Sequence, residues 1–485
     1  MLEDKNISSY SRSSNCFEKP HAQEDILEQK RTELEDMFTV SADMLKTITQ
    51  DFIQSLKDGL EKKDQTVPMF PAFVFGWPTG KETGHYLSLD LGGTNLRVCL
   101  VDLKGDGKFD ITQSKFRLTD EQKHQDGKDL FDFCAKCVKD FVNKHFGSSS
   151  SIKDPISLGF TFSYPMVQEK IDHGKLVRWT KGFDNPNTEG KDCAEMLRAS
   201  LKRFDVPVHL TSIINDTTGT LIASNYVSSD SKIACIFGTG CNAAYMEHVS
   251  NIPKLKGFDI PEDTDMAINC EYGAFGSYGS PVLEPVRTKY DEYIDSHSNK
   301  PSEQMYEKMI SGMYLGEIFR LILCDLVDDG VLFLGQNTYK IEKPFVFDTA
   351  FLSLIESDPT DELLTVMGLF SYFFNLDTEI KERLFFRRVA QLIGLRSARL
   401  SACGISAIAL KMGYDKEGCH VGCDGSLYSK YPGFADRLHE ALVDIIGEGG
   451  RKIHSRQAED GSGAGSAVIA AMTKARKEAG HIAHR

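Results

Sequence analysis

The stretch Tyr86–Leu103, YLSLDLGGTNLRVCLVDL, decides the fold. Its two apolar runs, YLSLDL and LRVCLVDL, are joined by Gly92-Gly93-Thr94-Asn95, a pattern that predicts strand, tight turn, strand. No helical pattern follows the glycines. That excludes a P-loop, which ends in GK[ST] and opens a helix, and a dinucleotide fingerprint, which needs a βαβ setting. Two readings of the turn stand side by side. It is an ordinary glycine hairpin, or it is an anion site: backbone N–H groups of Gly92 and Gly93 approach a phosphate, Thr94 and Asn95 add polar contacts, and Asp90 orients a hydrated cation through water.

A second stretch echoes the first. SKIACIFGTGCNAAYMEH, Ser231–His248, is again an apolar strand, a Gly-Thr-Gly turn with Thr239 at its centre and Asn242 behind it, and an apolar strand. The echo predicts a duplicated fold whose halves face each other with an anion between the turns; chance likeness of two hairpins is the competing account. Two more glycine sites close the chain. HVGCDGSLYSKYPGF carries Gly425 and Ser426 after a short apolar run, and EDGSGAGSAVIAA places Gly461, Gly463 and Gly465 before a helix, as an anion-binding helix start or a flexible turn.

Size and composition bound the rest. At 485 residues and 54.1 kDa the chain exceeds one typical core, so two domains are expected. A formal net charge of -14 and a pI near 5.5 argue against nucleic acid or an anionic membrane as the main partner. No apolar run of spanning length and no signal peptide is read, which makes the expected location cytoplasmic. The twelve cysteines lie scattered in apolar segments, as buried thiols do. Cys134-x-x-Cys137 falls on a helical stripe with Phe131, Val138 and Phe141, and Cys419-His420-x-x-Cys423 lacks a partner pair, so no zinc is expected.

Residues 1–20 read as a mobile polar tail in which Ser11-Arg12-Ser13-Ser14 is a phosphorylation target or a plain solvated terminus. A helix over QEDILEQKRTELEDMF follows, then a second, capped by Ser41, with Leu45, Ile48, Phe52, Leu56 and Leu60 on one face. Residues 331–398 read as mostly helical with Arg383, Arg387 and Arg388 facing solvent, and RSARLSACGISAIALKMG as a buried core helix.

Polar residues gather where elements end. Ser163 closes PISLGFTFSYP, Thr180 and Lys181 lie in the loop of LVRWTKGFD, and Glu271 follows a short strand in MAINCEYG. Gln304 and Glu307, three apart, share one face of a helix. Lys115 is a surface charge or a cation near the hairpin's ligand. Asn215 and Asp216 stand where the strand of PVHLTSII gives way to a helix, the place where ligands of open α/β sheets gather, although Asp216 as a mere N-cap explains the position too. Amides, carboxylates and hydroxyls without an aromatic cluster suit a small ligand with many hydroxyls, such as a sugar, while glycine turns suit polyphosphate with Mg²⁺. Moving a phosphoryl group to a hydroxyl needs a carboxylate to take the proton, and Asp216 is the candidate base.

Together, LDLGGTNLRV, LGFTFSYP, RWTKGF, INDTTGTL, FGTGCNA, INCEYGAFG, YEKMISGMYLGE, CDGSLYSKYPGF and EDGSGAGSAVIAA resemble the eukaryotic hexokinases, the fungal type in particular, from about residue 30 to 480. The resemblance implies an α/β, actin-like (ribonuclease H-like) fold: a small and a large domain closing on glucose, with ATP and Mg²⁺ at the cleft. It implies a tail at 1–20, a large domain of residues 21–81 and 217–462, and a small domain of 82–216 and 463–485. It makes Asp216 the base, with Lys181 beside it, and sets Ser163, Thr180, Lys181, Asn215, Asn242, Glu271, Gln304 and Glu307 around the hexose. Asp90, Gly92, Gly93, Thr94, Asn95, Lys115, Thr239, Gly425 and Ser426 fall on the ATP side, with Mg²⁺ held by phosphates rather than directly by protein. The implied activity is ATP-dependent 6-phosphorylation of glucose, and of fructose and mannose, the first step of glycolysis, by a monomer or homodimer. A strict glucokinase and a weakly catalytic glucose sensor are the alternatives. Tyr272 and Met313 depart from relatives that carry Trp and Lys there.

Overall fold

The computed structural model describes residues 20–147, 152 and 154–480, so the predicted tail lies outside the described residues apart from Pro20, which opens the first helix. Ser41 caps the second helix, Ala42–Glu61, by accepting from Met44 N at 3.2 Å, and the predicted face from Leu45 to Leu60 is buried.

Thirteen strands follow in the described residues: β1 (Phe70–Phe75), β2 (Thr83–Leu91), β3 (Asn95–Gly105), β4 (Lys108–Arg117), β5 (Ile156–Phe162), β6 (Met166–Lys170), β7 (His173–Leu176), β8 (Val208–Ile214), β9 (Ser231–Phe237), β10 (Cys241–His248), β11 (Asp265–Asn269), β12 (Cys419–Asp424) and β13 (Ile453–Gln457). One sheet runs β4-β3-β2-β5-β8; the other runs β1-β11-β10-β9-β12-β13, and β6 pairs with β7 in a separate ribbon. In the first sheet β2, β3 and β4 are antiparallel and β5 and β8 join parallel. The second sheet repeats that plan with β9, β10, β11, then β12 and β13, and adds β1 at its edge. Two copies of one topology confirm that the echo between the hairpins reflects a duplicated fold rather than chance.

Each copy ends in a helix after its fifth strand, and the two helices, Asp216–Val227 and Gly461–Glu478, cross between the sheets. Ile214, Leu221, Ile222, Val468 and Ile469 fill that middle layer, and a separate core lies around each sheet. The glycines predicted to precede a helix in GSGAG are instead its first turns. The reason is close approach: a Cβ on Gly465 would stand 1.9 Å from Gly219 O, and one on Gly461 2.5 Å from Thr220 Oγ1. Glycine here lets two backbones touch.

Residues 331–398 are less helical than expected. Gly335, Asn337 and Pro344 keep 331–348 in turns, after which come Thr349–Glu356, Leu364–Leu369 with a π-helical turn over Phe370–Phe374, and the long helix Ile380–Met412. Arg383 faces inward, not outward, donating to the carbonyls of Glu362 and Thr378; Arg387 likewise binds Asp358 O, whereas Arg388 reaches Glu35 from a more exposed position. Contrary to the sequence reading, Ile380–Met412 is long and apolar enough to span a membrane by length and composition, but 89% of its most apolar window is buried inside the protein, as befits the predicted core helix. Cys134, Cys137, Cys419 and Cys423 are buried free thiols.

Candidate active site

Both hairpins and both crossing helices deliver polar groups to the region between the sheets. At the end of β8, Asn215 is the helix N-cap: its side-chain oxygen accepts from Thr217 N at 2.9 Å. Capping is therefore done by the neighbour, and Asp216 occupies the first helical position, with Thr217 Oγ1 donating to its Oδ1 at 3.2 Å. Its flanking residues are buried while Asp216 keeps partial access to solvent.

Around it lies a net of amides. Asn242 Nδ2 donates to Asn269 Oδ1 at 2.7 Å and approaches Asn215 Oδ1 at 3.4 Å, and its own Oδ1 accepts from Glu271 N at 2.9 Å. Glu271 Oε1 in turn accepts from Asn269 Nδ2 at 2.9 Å and from Asn215 Nδ2 at 3.5 Å. Glu271 itself sits in the left-handed region with φ 50°, which turns its carboxylate off the end of β11. Glu307 Oε2 accepts from Cys241 N at 2.9 Å, at the start of β10. Gln304 does not share a helical face with Glu307: it is the left-handed residue, φ 55°, that precedes the helix Met305–Ile310, and its amide packs over Gly273.

From the other sheet, Lys181 donates to Ser163 O at 2.7 Å, and its stem lies against Gly93. Tyr164 OH donates to Gly92 O at 3.1 Å, tying the loop that carries Ser163 to the hairpin. Thr180 lies in the same loop, its carbonyl accepting from Phe183 N at 3.2 Å. Asp90 is paired: Arg97 Nε and Nη2 donate to its Oδ2 at 3.0 and 2.8 Å, and Ser462 Oγ does so at 2.9 Å. Arg97 also reaches Asp460, so the first hairpin is clamped to the start of the last helix. Thr94 and Asn95 close the hairpin, where Gly92 N donates to Asn95 O at 3.1 Å. Gly425, with φ 108°, packs against Phe237 O and Gly238, which sets Ser426 beside the Thr239 turn. Lys115 is exposed on β4, opposite Arg97 in register and outside this network.

Burial and crowding of like charge shape the acids. Burial pushes Glu271 up to about 7, restrained by the Asn269 amide and pushed further by Asp216 and Glu307. Burial also raises Glu307, against the Cys241 N–H and the Lys181 charge, and raises Asp90 against Arg97. Asp424, at the end of β12, is raised by burial, against the Gly425 N–H. A site so lined favours neutral hydroxyls and a ligand that brings its own cation.

Several members of these networks went unread in the sequence. The four-residue turn Gly92–Asn95, flanked by the Leu91–Leu96 pair, sets Asp90 opposite Arg97, so that pair was readable from register. Asn269, a polar residue in the apolar run MAINC, also carried a local signal. Asp460 and Ser462 lie more than 360 residues from Arg97 and had none.

This duplicated fold, with helix starts and buried amides converging between two sheets, defines the class of actin-like sugar kinases. Hexokinase family models match residues 30–226 and 232–472. The chain is similar to hexokinase-1 of Schizosaccharomyces pombe, 49% identical over 92% of this chain and 91% of that protein, and to hexokinase-2 of Saccharomyces cerevisiae, 47% identical over 93% of each. The solved structure of Schistosoma mansoni hexokinase complexed with glucose superposes with a TM-score of 0.84 at 34% identity, covering 93% of this chain and 99% of that one. The chain belongs to the hexokinase family.

Proposed function

We propose that this enzyme transfers the γ-phosphoryl group of ATP to the 6-hydroxyl of glucose, and likewise of fructose and mannose, with Asp216 as general base. The observation that carries the reading is the division of labour at the end of β8: Asn215 caps the helix, which leaves the Asp216 carboxylate for chemistry beside a net of buried amides. The hexose lies among Ser163, Thr180, Lys181, Asn215, Asn242, Glu271, Gln304 and Glu307, whose donors and acceptors match a ring of hydroxyls. As the sugar oxygen bonds to the γ-phosphorus, its proton passes to Asp216, and the bond from that phosphorus to the bridging oxygen breaks, so ADP leaves with the electron pair. Lys181, held by Ser163 O and lying against Gly93, is placed to meet charge growing on the phosphoryl oxygens.

The nucleotide side is formed by Asp90 and the Gly92–Asn95 turn, with Lys115, Thr239, Gly425 and Ser426. Neither Gly92 nor Gly93 adopts a left-handed φ, and a Cβ on Gly92 would meet only Asn95 O at an ordinary 3.5 Å. Nothing inside the protein demands glycine at 92, which supports close approach by a phosphate. Mg²⁺ bound with ATP would lean on phosphate oxygens and water, with Asp90 at hand through water, and would neutralise charge on the transferring group.

Residues 21–81 and 217–462 form the large domain and 82–216 with 463–485 the small one, in keeping with the return of the last helix to the β2-β5-β8 sheet. Their cleft closes on sugar, which keeps water from taking the phosphoryl group. A reducing cytoplasmic setting suits the free buried thiols. The test is ADP formation with Mg²⁺-ATP and each hexose in turn. The reading expects turnover with glucose, fructose and mannose and little without sugar; turnover with glucose alone identifies a strict glucokinase, and glucose binding without turnover identifies a sensor.

A further inference from the structure

We propose that Arg178 and Glu303 form a latch between the two lobes that sets how tightly the closed cleft holds its sugar, an inference that rests on the sugar kinase reading above. Arg178 leaves β7 one residue before Trp179, whose ring belongs to the core of the β4-β3-β2-β5-β8 sheet and whose Nε1 donates to Thr188 Oγ1 at 2.6 Å and Asn185 O at 3.2 Å. Glu303 stands one residue before Gln304, and the helix that follows plants Met305 and Tyr306 in the other core. Arg178 Nη1 lies 3.1 Å from Glu303 Oε2, with the side chains 27% and 25% exposed.

Each partner is thus rigidly joined to one half of the candidate sugar site. Behind Arg178 come Thr180 and Lys181, and behind Glu303 come Gln304 and Glu307. The contact is ionic but incomplete as a hydrogen bond, since Arg178 Nε and Glu303 Oε2 are buried without hydrogen-bond partners. Buried polar atoms in that state are costly, which favours any lobe arrangement that lets them pair. Beyond the pair, Arg178 and Lys181 of one lobe pull the Glu307 carboxyl of the other down against its burial, while Asp216 repels Glu271. At Arg178 and Glu303 themselves, opposite charge across the cleft draws it shut. Neither Arg178 nor Glu303 is assigned a part in proton or phosphoryl transfer, so both are positioning residues acting through their loops.

The variants Arg178→Met and Glu303→Gln, measured in the full chain, test the latch. Each is expected to raise the KM for glucose about 3- to 10-fold while kcat and the KM for ATP stay within about 2-fold. Glucose affinity by calorimetry without ATP should fall by the same factor. The double variant should be no worse than the worse single, and the charge swap Arg178→Glu with Glu303→Arg should restore most of the affinity. Unmoved affinity in both singles, losses that add in the double variant, or lowered kcat and melting temperature with affinity intact would each overturn it. A parent chain that neither binds nor phosphorylates glucose sinks the sugar kinase reading beneath it; a parent that does both, with variants that match it, sinks the latch alone.

Discussion

The two glycine hairpins share a strand plan and differ in what requires their glycines. In the β9–β10 turn the protein itself fills the space: Gly238 O accepts from Gly312 N at 2.8 Å, Thr239 O from Met313 N at 3.3 Å, and a Cβ on Gly240 would stand 2.5 Å from Glu307 Oε2. In the β2–β3 turn Gly92 has an ordinary backbone and open surroundings, and Gly93 meets only the flexible stem of Lys181, at 3.1 Å. One sequence signal therefore encodes two demands. The second turn braces the Glu307 carboxylate from within, and the first leaves open space beside Gly92.

Substitutions can break that contrast. The largest effect is expected at Gly240→Ala, where the new methyl displaces the Glu307 carboxylate and strips its bond from Cys241 N. Its KM for glucose should rise roughly 10- to 100-fold, with a lower melting temperature; an unchanged KM would mean that the turn does not support the sugar side. The next effect concerns Glu271, whose ordinary value of 4.5 is raised to about 7 in the folded chain. The folded state holds a proton there that the unfolded chain releases, so stability is fully present below about 4.5 and falls as pH climbs toward and through 7. Glu271→Gln removes that loss. Denaturant midpoints at acidic and slightly alkaline pH should show a gain of roughly 1–3 kcal/mol over the parent at the alkaline end only, and parallel pH profiles would contradict it. The smallest effect is expected at Gly92→Ala: melting temperature unchanged within about 1 °C, the KM for glucose unchanged, and the KM for ATP raised about 5-fold. If the KM for ATP does not move, the first hairpin is a plain turn.

Much of this contrast was legible in the sequence. Alternation and paired glycines located both hairpins, and the end of PVHLTSII located Asn215 and Asp216, because strand ends and helix starts are signalled by neighbours in the chain. What stayed hidden depended on distance. Gly465 was read as preceding the helix to which it belongs because its reason is Gly219, on another helix. Arg383 was misread as a surface charge because the carbonyls it satisfies belong to a loop that sequence periodicity took for helix. The cap assignment needed the side-chain geometry: Asn215 and Asp216 are both good caps by type, and only the bond to Thr217 N separates them.

That separation is also the most exposed point of the account. Asp216→Asn keeps the size and the place of the side chain and removes its ability to take a proton, so kcat for glucose phosphorylation should fall by about 10³-fold while the calorimetric glucose affinity stays within about 3-fold of the parent. A variant that binds glucose as well as the parent and still phosphorylates it within 10-fold of the parental rate would contradict the assignment of Asp216 as the base.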